Sequence, residues 1–242
     1  MCASALALNG ATAVVSVLFR DEPDVFPEHW RSDPISASAV PLPAEEVNRS
    51  LTVVARAMGR YPTSLLRENL RRVFVMHSLR FYGLEYGGTN SSDTVYIANQ
   101  GARRGYTDGY LERAFHHEFS SILMRNHPDK FDWTAWQAAN PEGFGYAAGG
   151  TEAVRSGRAN TFYDRRFLAQ GFLCEYATSS IEEDFNMYAE GLMSGSRRFW
   201  AAVENYPAVA KKAELAMRFY AALDPSLNAE TLRSFKTETA RD

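Results

Sequence analysis

The chain has 242 residues, of which 45% are hydrophobic and 13% aromatic, enough for a packed core and unlike a disordered composition. A formal charge of −3 argues against a general nucleic-acid or anionic-membrane surface. Two cysteines, Cys2 and Cys174, exclude a disulfide framework.

Residues 3–19 are fairly apolar, but Asn9 and Gly10 interrupt the run and no positively charged segment precedes it. This is a poor signal peptide and too short and broken a stretch for a membrane span. Residues 14–19 are more simply a first β-strand. The location expected from this is cytoplasmic, with export only if the start of the chain is misassigned. A polar connector over residues 21–41 carries Phe26, His29 and Trp30, which are expected to pack locally. Residues 44–58 make an amphipathic helix with Val47, Leu51, Val54 and Met58 on one stripe. Pro43 suits its first turn and Gly59 its C-terminal end. Residues 63–71 read as a short second helix.

Strand-like runs follow at 73–76, 79–84 and 94–98, with a turn cluster at 87–92. A basic loop at 101–105 leads into a helix with Asp108 as its expected N-cap and Leu111, Phe115, Phe119 and Ile122 at helical spacing. Asn126-His127-Pro128 supplies the stop. Beyond it, residues 132–139 and 164–170 suggest short helices, and 140–150 a loop rich in glycine and aromatics. Ser180 starts a helix whose stripe is Ile181, Phe185, Tyr188 and Leu192. A helical tail is broken at Tyr206-Pro207 and at Asp224-Pro225. Without repeat or long linker, the chain is expected to be a single domain over 1–242, with a motif-bearing core at about 71–192 and a helical part at 193–242. The order helix, strands, His-Glu helix points to an α+β fold, mainly helical, with a small sheet packed beside that helix.

The chemistry-bearing stretch is Phe115-His116-His117-Glu118-Phe119-Ser120-Ser121. A His-Glu pair in an apolar helix is costly unless it has partners. The zinc-hydrolase helix H-E-x-x-H sets two histidines four residues apart on one face and uses the glutamate as base. His117-Glu118 supplies the first half, and Ser121 stands where the second histidine belongs. The third ligand of such a site comes from a later segment, and Glu183, 66 residues after His117, is the best candidate.

Residues 114–123, followed by GFLCEYATSSIEEDF, resemble the zinc-binding metallopeptidases of bacteria on the glutamate-ligand (gluzincin) branch of the zincins. The resemblance spans about 71–192. It implies a zincin-like fold, with His117 as a zinc ligand, Glu118 as the catalytic base and Glu183 as the third ligand. His116 and Asp184 would support the ligands, Tyr188 would stand nearby, and Ser121 would fill the gap left by histidine. The implied cofactor is zinc and the implied substrate a peptide or protein.

Each residue also has a plainer reading. His117 suits a buried histidine bonded to a carbonyl. Ser180-Ile181-Glu182-Glu183 is a capping box that by itself accounts for a glutamate at 183. Glu182 is one residue from the ligand register, and Tyr176 and Tyr188 are either oxyanion donors or core aromatics. Two functions follow. One is a zinc peptidase with a modified ligand set and weakened or lost activity. The other is a non-catalytic zincin-like domain, without metal, that binds or supports.

Overall fold

A computed structural model describes residues 4–6, 15–22 and 24–237. The chain divides into two compact units, Met1–Asn126 and His127–Asp242, the boundary falling at the end of the His-Glu helix. Cys2 and Val14 lie outside the described residues.

The first unit opens with strands β1 (Ser4–Leu6), β2 (Val15–Leu18) and β3 (Ser38–Val40). Helices α1 (Ala44–Met58) and α2 (Thr63–Asn69) come next, then β4 (Arg72–Met76), β5 (Ser78–Phe81), β6 (Leu84–Tyr86), β7 (Gly88–Asn90) and β8 (Thr94–Ala98). Helix α3 (Asp108–Asn126) closes the unit. One sheet has the order β1-β2-β4-β8-β7 and a smaller one β3-β5-β6. In the larger sheet β2, β4 and β8 run parallel, and the two edge strands β1 and β7 are antiparallel.

Strands β4 and β8 are buried almost throughout, as expected of parallel strands covered on both faces. Phe74, Met76, Tyr96 and Ala98 share one face with Phe26, Leu79 and Phe81. Phe74 and Tyr96 are register partners with stacked rings 5.5 Å apart. Trp30 leans on Phe26, Phe81 and Tyr96, so the connector's aromatics do pack locally. Period-two alternation puts Val73, Val75, Val95 and Ile97 on the opposite face. Helix α3 packs against β7, β8 and α1.

Three local expectations are corrected. The run 79–84 is not one strand. Tyr82 (φ 55°) and Gly83 (φ 76°) turn it into a two-residue β5–β6 hairpin, with Phe81 opposite Leu84. The positive φ at both central positions matches the right-handed twist of the flanking strands. The expected turn at 87–92 contains β7, because antiparallel pairing with β8 overrides the local glycine signal. Asp108 does not cap α3. Thr107 Oγ1 accepts from Tyr110 N at 3.2 Å, while Asp108 lies in the first turn and pairs with Arg49 at 2.8 Å. Arg49 also donates to Tyr106 O and Asn99 Oδ1, which fixes α1 to the start of α3.

The second unit is helical: α4 (Trp133–Gln137), α5 (Gly150–Arg155), α6 (Arg165–Leu168), α7 (Ile181–Ser194), α8 (Arg197–Asn205), α9 (Pro207–Leu223) and α10 (Ala229–Ser234). Ser180 caps α7 through Glu183 N, and Gly195 ends it in the left-handed region. The α8–α9 break falls at Tyr206-Pro207, with proline in the first turn where its missing N–H costs nothing. Helix α7 packs against α8, α9 and α10. Its Phe185, Tyr188 and Leu192 are fully buried, and Phe185 sits among Phe131, Trp136, Phe219 and Tyr220. The two units together make an α+β protein. Among the described residues no helix is long and apolar enough to cross a membrane.

Candidate functional site

Helix α3 places His116, His117, Glu118 and Ser121 in successive directions. His116 is fully buried. It shares a hydrogen bond with the Tyr61 hydroxyl through Nδ1 at 2.9 Å, and its Nε2 has no partner among the described residues. Burial, then the Arg60 and Arg56 guanidiniums, push its pKa down to about 3, so the ring is neutral at pH 7. One turn earlier, Glu112 is buried and paired with Arg56 at 2.8 Å. His117 is half-buried, and its carbonyl accepts from Ser120 Oγ at 2.8 Å.

Glu118 is only 8% exposed. Its Oε2 accepts from Asn90 Nδ2 at 2.7 Å, which ties the helix to edge strand β7. Asn90 Oδ1 in turn accepts from Arg125 at 2.6 Å. Gly88 makes the approach feasible: a Cβ there would stand 2.6 Å from Glu118 Oε1 and 3.1 Å from Tyr96 O. Ser121, at the second-histidine position, is 2% exposed.

The later candidates belong to the second unit. Glu183 is half-buried, and its backbone N–H donates to Ser180 Oγ at 3.0 Å. Its carboxylate and the Tyr176 hydroxyl both abut Gly150, where a Cβ would lie 2.5 Å from the hydroxyl and closer still to Glu183 Oε1. Glu182 is exposed. Tyr188 is buried and donates to Gly171 O at 2.8 Å, so its hydroxyl already has an acceptor.

Asp184 forms the strongest polar constellation of the second unit. Its Oδ2 accepts from Lys212 Nζ at 2.6 Å, Tyr146 OH at 2.7 Å and Trp136 Nε1 at 3.0 Å. Both members of the ion pair are 0% exposed. Lys212 Nζ lies 3.9 Å from the centre of the Phe172 ring, so aromatic faces surround the ammonium. Burial raises the Asp184 pKa and lowers that of Lys212, each toward its neutral form. Asp184 is thus engaged by a lysine, a tyrosine and a tryptophan of its own unit.

Comparison with family profiles, with characterised proteins and with solved structures finds no match to this chain. The fit of zinc therefore rests on the residues themselves. Within neither unit do three His, Cys, Asp or Glu side chains among the described residues gather into a set able to hold a metal ion. A zinc hydrolase site needs three protein ligands, and a neutral serine hydroxyl does not replace imidazole. His116 is no substitute: it is fully buried with Nδ1 engaged by Tyr61, and burial first, then the Arg60 and Arg56 guanidiniums, oppose positive charge on its ring. The donor set does not fit a three-ligand zinc site.

Tyr61, Asn90 and Lys212 were not singled out by sequence reasoning. Tyr61 and Asn90 carry no local signal, being brought to α3 by a helix end and a strand. Lys212 does carry one. It lies between Val209, Ala213 and Ala216 on the apolar stripe of α9, where a charge demands a buried counter-charge.

Proposed function

We propose that this chain is a zincin-like domain that works without a resident metal, as a binding or structural module. The observation that carries this reading is the engagement of Glu118. The carboxylate that a peptidase needs for accepting a proton from water is buried and bonded to Asn90 of β7, where it fastens helix to sheet. Ser121 and the complete burial of His116 against Tyr61 support the same reading, because they leave α3 with one donor in the required register. The zincin-like part rests on the motif resemblance and on the packing of the His-Glu helix beside β7 and β8.

Metal analysis of protein purified without added zinc tests the reading. The expected content is well below one zinc per chain, with thermal stability unchanged by a chelator. One zinc per chain that resists the chelator overturns it.

A second reading, a zinc peptidase with a modified ligand set, is favoured by one feature. The Glu183 carboxylate and the Tyr176 hydroxyl converge on Gly150, a polar point where no side chain fits. In that reading His117 and Glu183 are the donors, Glu118 is the base and a peptide is the substrate. Ser121→His separates the two. It puts an imidazole four residues after His117 on the same helix face. Under the second reading zinc affinity rises at least about tenfold, and Glu183→Ala cancels the gain. Under the first, Glu183→Ala changes nothing.

A further inference from the structure

We propose that the second unit carries a binding site for a small organic anion, a carboxylate or phosphate monoester with an apolar or aromatic body. The site is a surface pocket of about 620 Å³ between α6 and α8. Its lining includes Arg165 and Arg198 and no aspartate or glutamate.

One face of α8 forms the floor. Arg198, Ala201, Ala202 and Asn205 recur at i, i+3, i+4 and i+7, and the two alanines create the hollow between the longer residues. Leu168 adds an apolar wall, and Tyr163 and Tyr206 add aromatic ones. Arg198 is already oriented. Its guanidinium lies 4.6 Å from the centre of the Tyr163 ring, and Nη2 donates to Tyr163 O at 3.1 Å. That uses one of the five N–H donors of the group and fixes its plane, so little side-chain entropy remains to be lost on binding.

Neither arginine has a carboxylate partner among the described residues, and the acids nearest in sequence are committed elsewhere. Asp164 bonds Arg166 at 2.8 Å and caps α6 through Arg166 N. Glu204, on α8 itself, pairs with Lys236. Two exposed guanidiniums without a carboxylate partner line one concave, apolar-floored pocket, and the ligand chemistry that suits them is an anion. Guanidinium matches carboxylate and phosphate oxygens in a bidentate way, and the rings and alanines offer contact to whatever carries the anion.

The test is titration of the full chain with phenyl phosphate, benzoate, inorganic phosphate and, as the neutral control, benzyl alcohol, followed by calorimetry. The expected result is saturable one-to-one binding of phenyl phosphate or benzoate, the tighter of the two naming the head group. Inorganic phosphate should bind more weakly and benzyl alcohol not at all. Arg165→Gln and Arg198→Gln, both at exposed positions, should each weaken binding about tenfold or more with the circular dichroism spectrum unchanged. The proposal is overturned if the wild type does not saturate with either organic anion by about 10 mM, if benzyl alcohol binds as well, or if the folded double variant binds as tightly as the wild type.

Discussion

Replacing Lys212 by methionine isolates the energetics of the buried pair. Methionine has nearly the volume and flexibility of the lysine stem and can keep the contact with Phe172. What is lost is the ammonium, which leaves Asp184 at 0% exposure with only Trp136 and Tyr146 as donors. Breaking one side of a buried pair costs about 3–5 kcal/mol. A second route gives the same scale. The variant can fold with Asp184 protonated, and taking up that proton at about pH 7.5, from an unfolded pKa of 3.8, costs up to about 5 kcal/mol. The sign follows from the raised folded pKa. The variant's stability is retained at low pH and falls by about 1.4 kcal/mol per unit as pH rises above 3.8. Because the wild-type carboxyl is itself shifted upward, the loss relative to wild type is expected to be small near pH 5 and to grow to about 3–5 kcal/mol near pH 7.5. Urea unfolding followed by tryptophan fluorescence reads it, since Trp136 touches the pair. Adding Asp184→Leu should recover most of the loss, because it removes the stranded carboxyl. A Lys212→Met protein as stable as wild type at pH 7.5, a loss independent of pH, or a double variant no better than the single one would refute this account.

Three further outcomes are expected. His116 has a folded pKa lowered to about 3 from 6.5, so its contribution to stability is complete above 6.5 and is lost as pH falls toward 3. The first unit's stability should decline in that window by up to about 1.4 kcal/mol per unit, and acid titration of His116→Gln should be flatter. Asn90→Ala removes the donor that holds Glu118 and an acceptor of Arg125. A loss of about 1–3 kcal/mol in denaturant titration is expected, whereas an unchanged midpoint would mean the contact is not structural. A Cβ at Gly191 would collide with the Phe199 ring, so Gly191→Ala should destabilise by about 1–3 kcal/mol. A thermal melt at or above the wild-type temperature would show that α8 yields freely.

Much of the architecture is legible along the chain, because it depends on neighbours in sequence. The α1 bounds, the Ser180 cap, the helix breaks at Pro207 and Pro225, and the Phe185-Tyr188-Leu192 stripe follow from periodicity and cap chemistry alone. The β5–β6 hairpin and β7 are less legible, since pairing with distant strands decides which glycine turns and which extends. At the candidate site the sequence supplies the residue types, with Ser121 where a zinc helix has histidine. It does not say which groups are already engaged. Asp184 and Lys212 each announce themselves as a charge on an apolar stripe, and opposite sign makes them natural partners. Glu118, His116 and the pocket between α6 and α8 give no such notice, because Asn90, Tyr61 and Tyr163 reach them from segments 28, 55 and 35 residues away. The longer helices α1, α3 and α7 and the missing histidine are written in local sequence within a few turns of backbone, whereas α5 and the true cap of α3 are not. Only the tertiary structure decided what each polar group touches, because burial and hydrogen bonding depend on chain segments that no local pattern records.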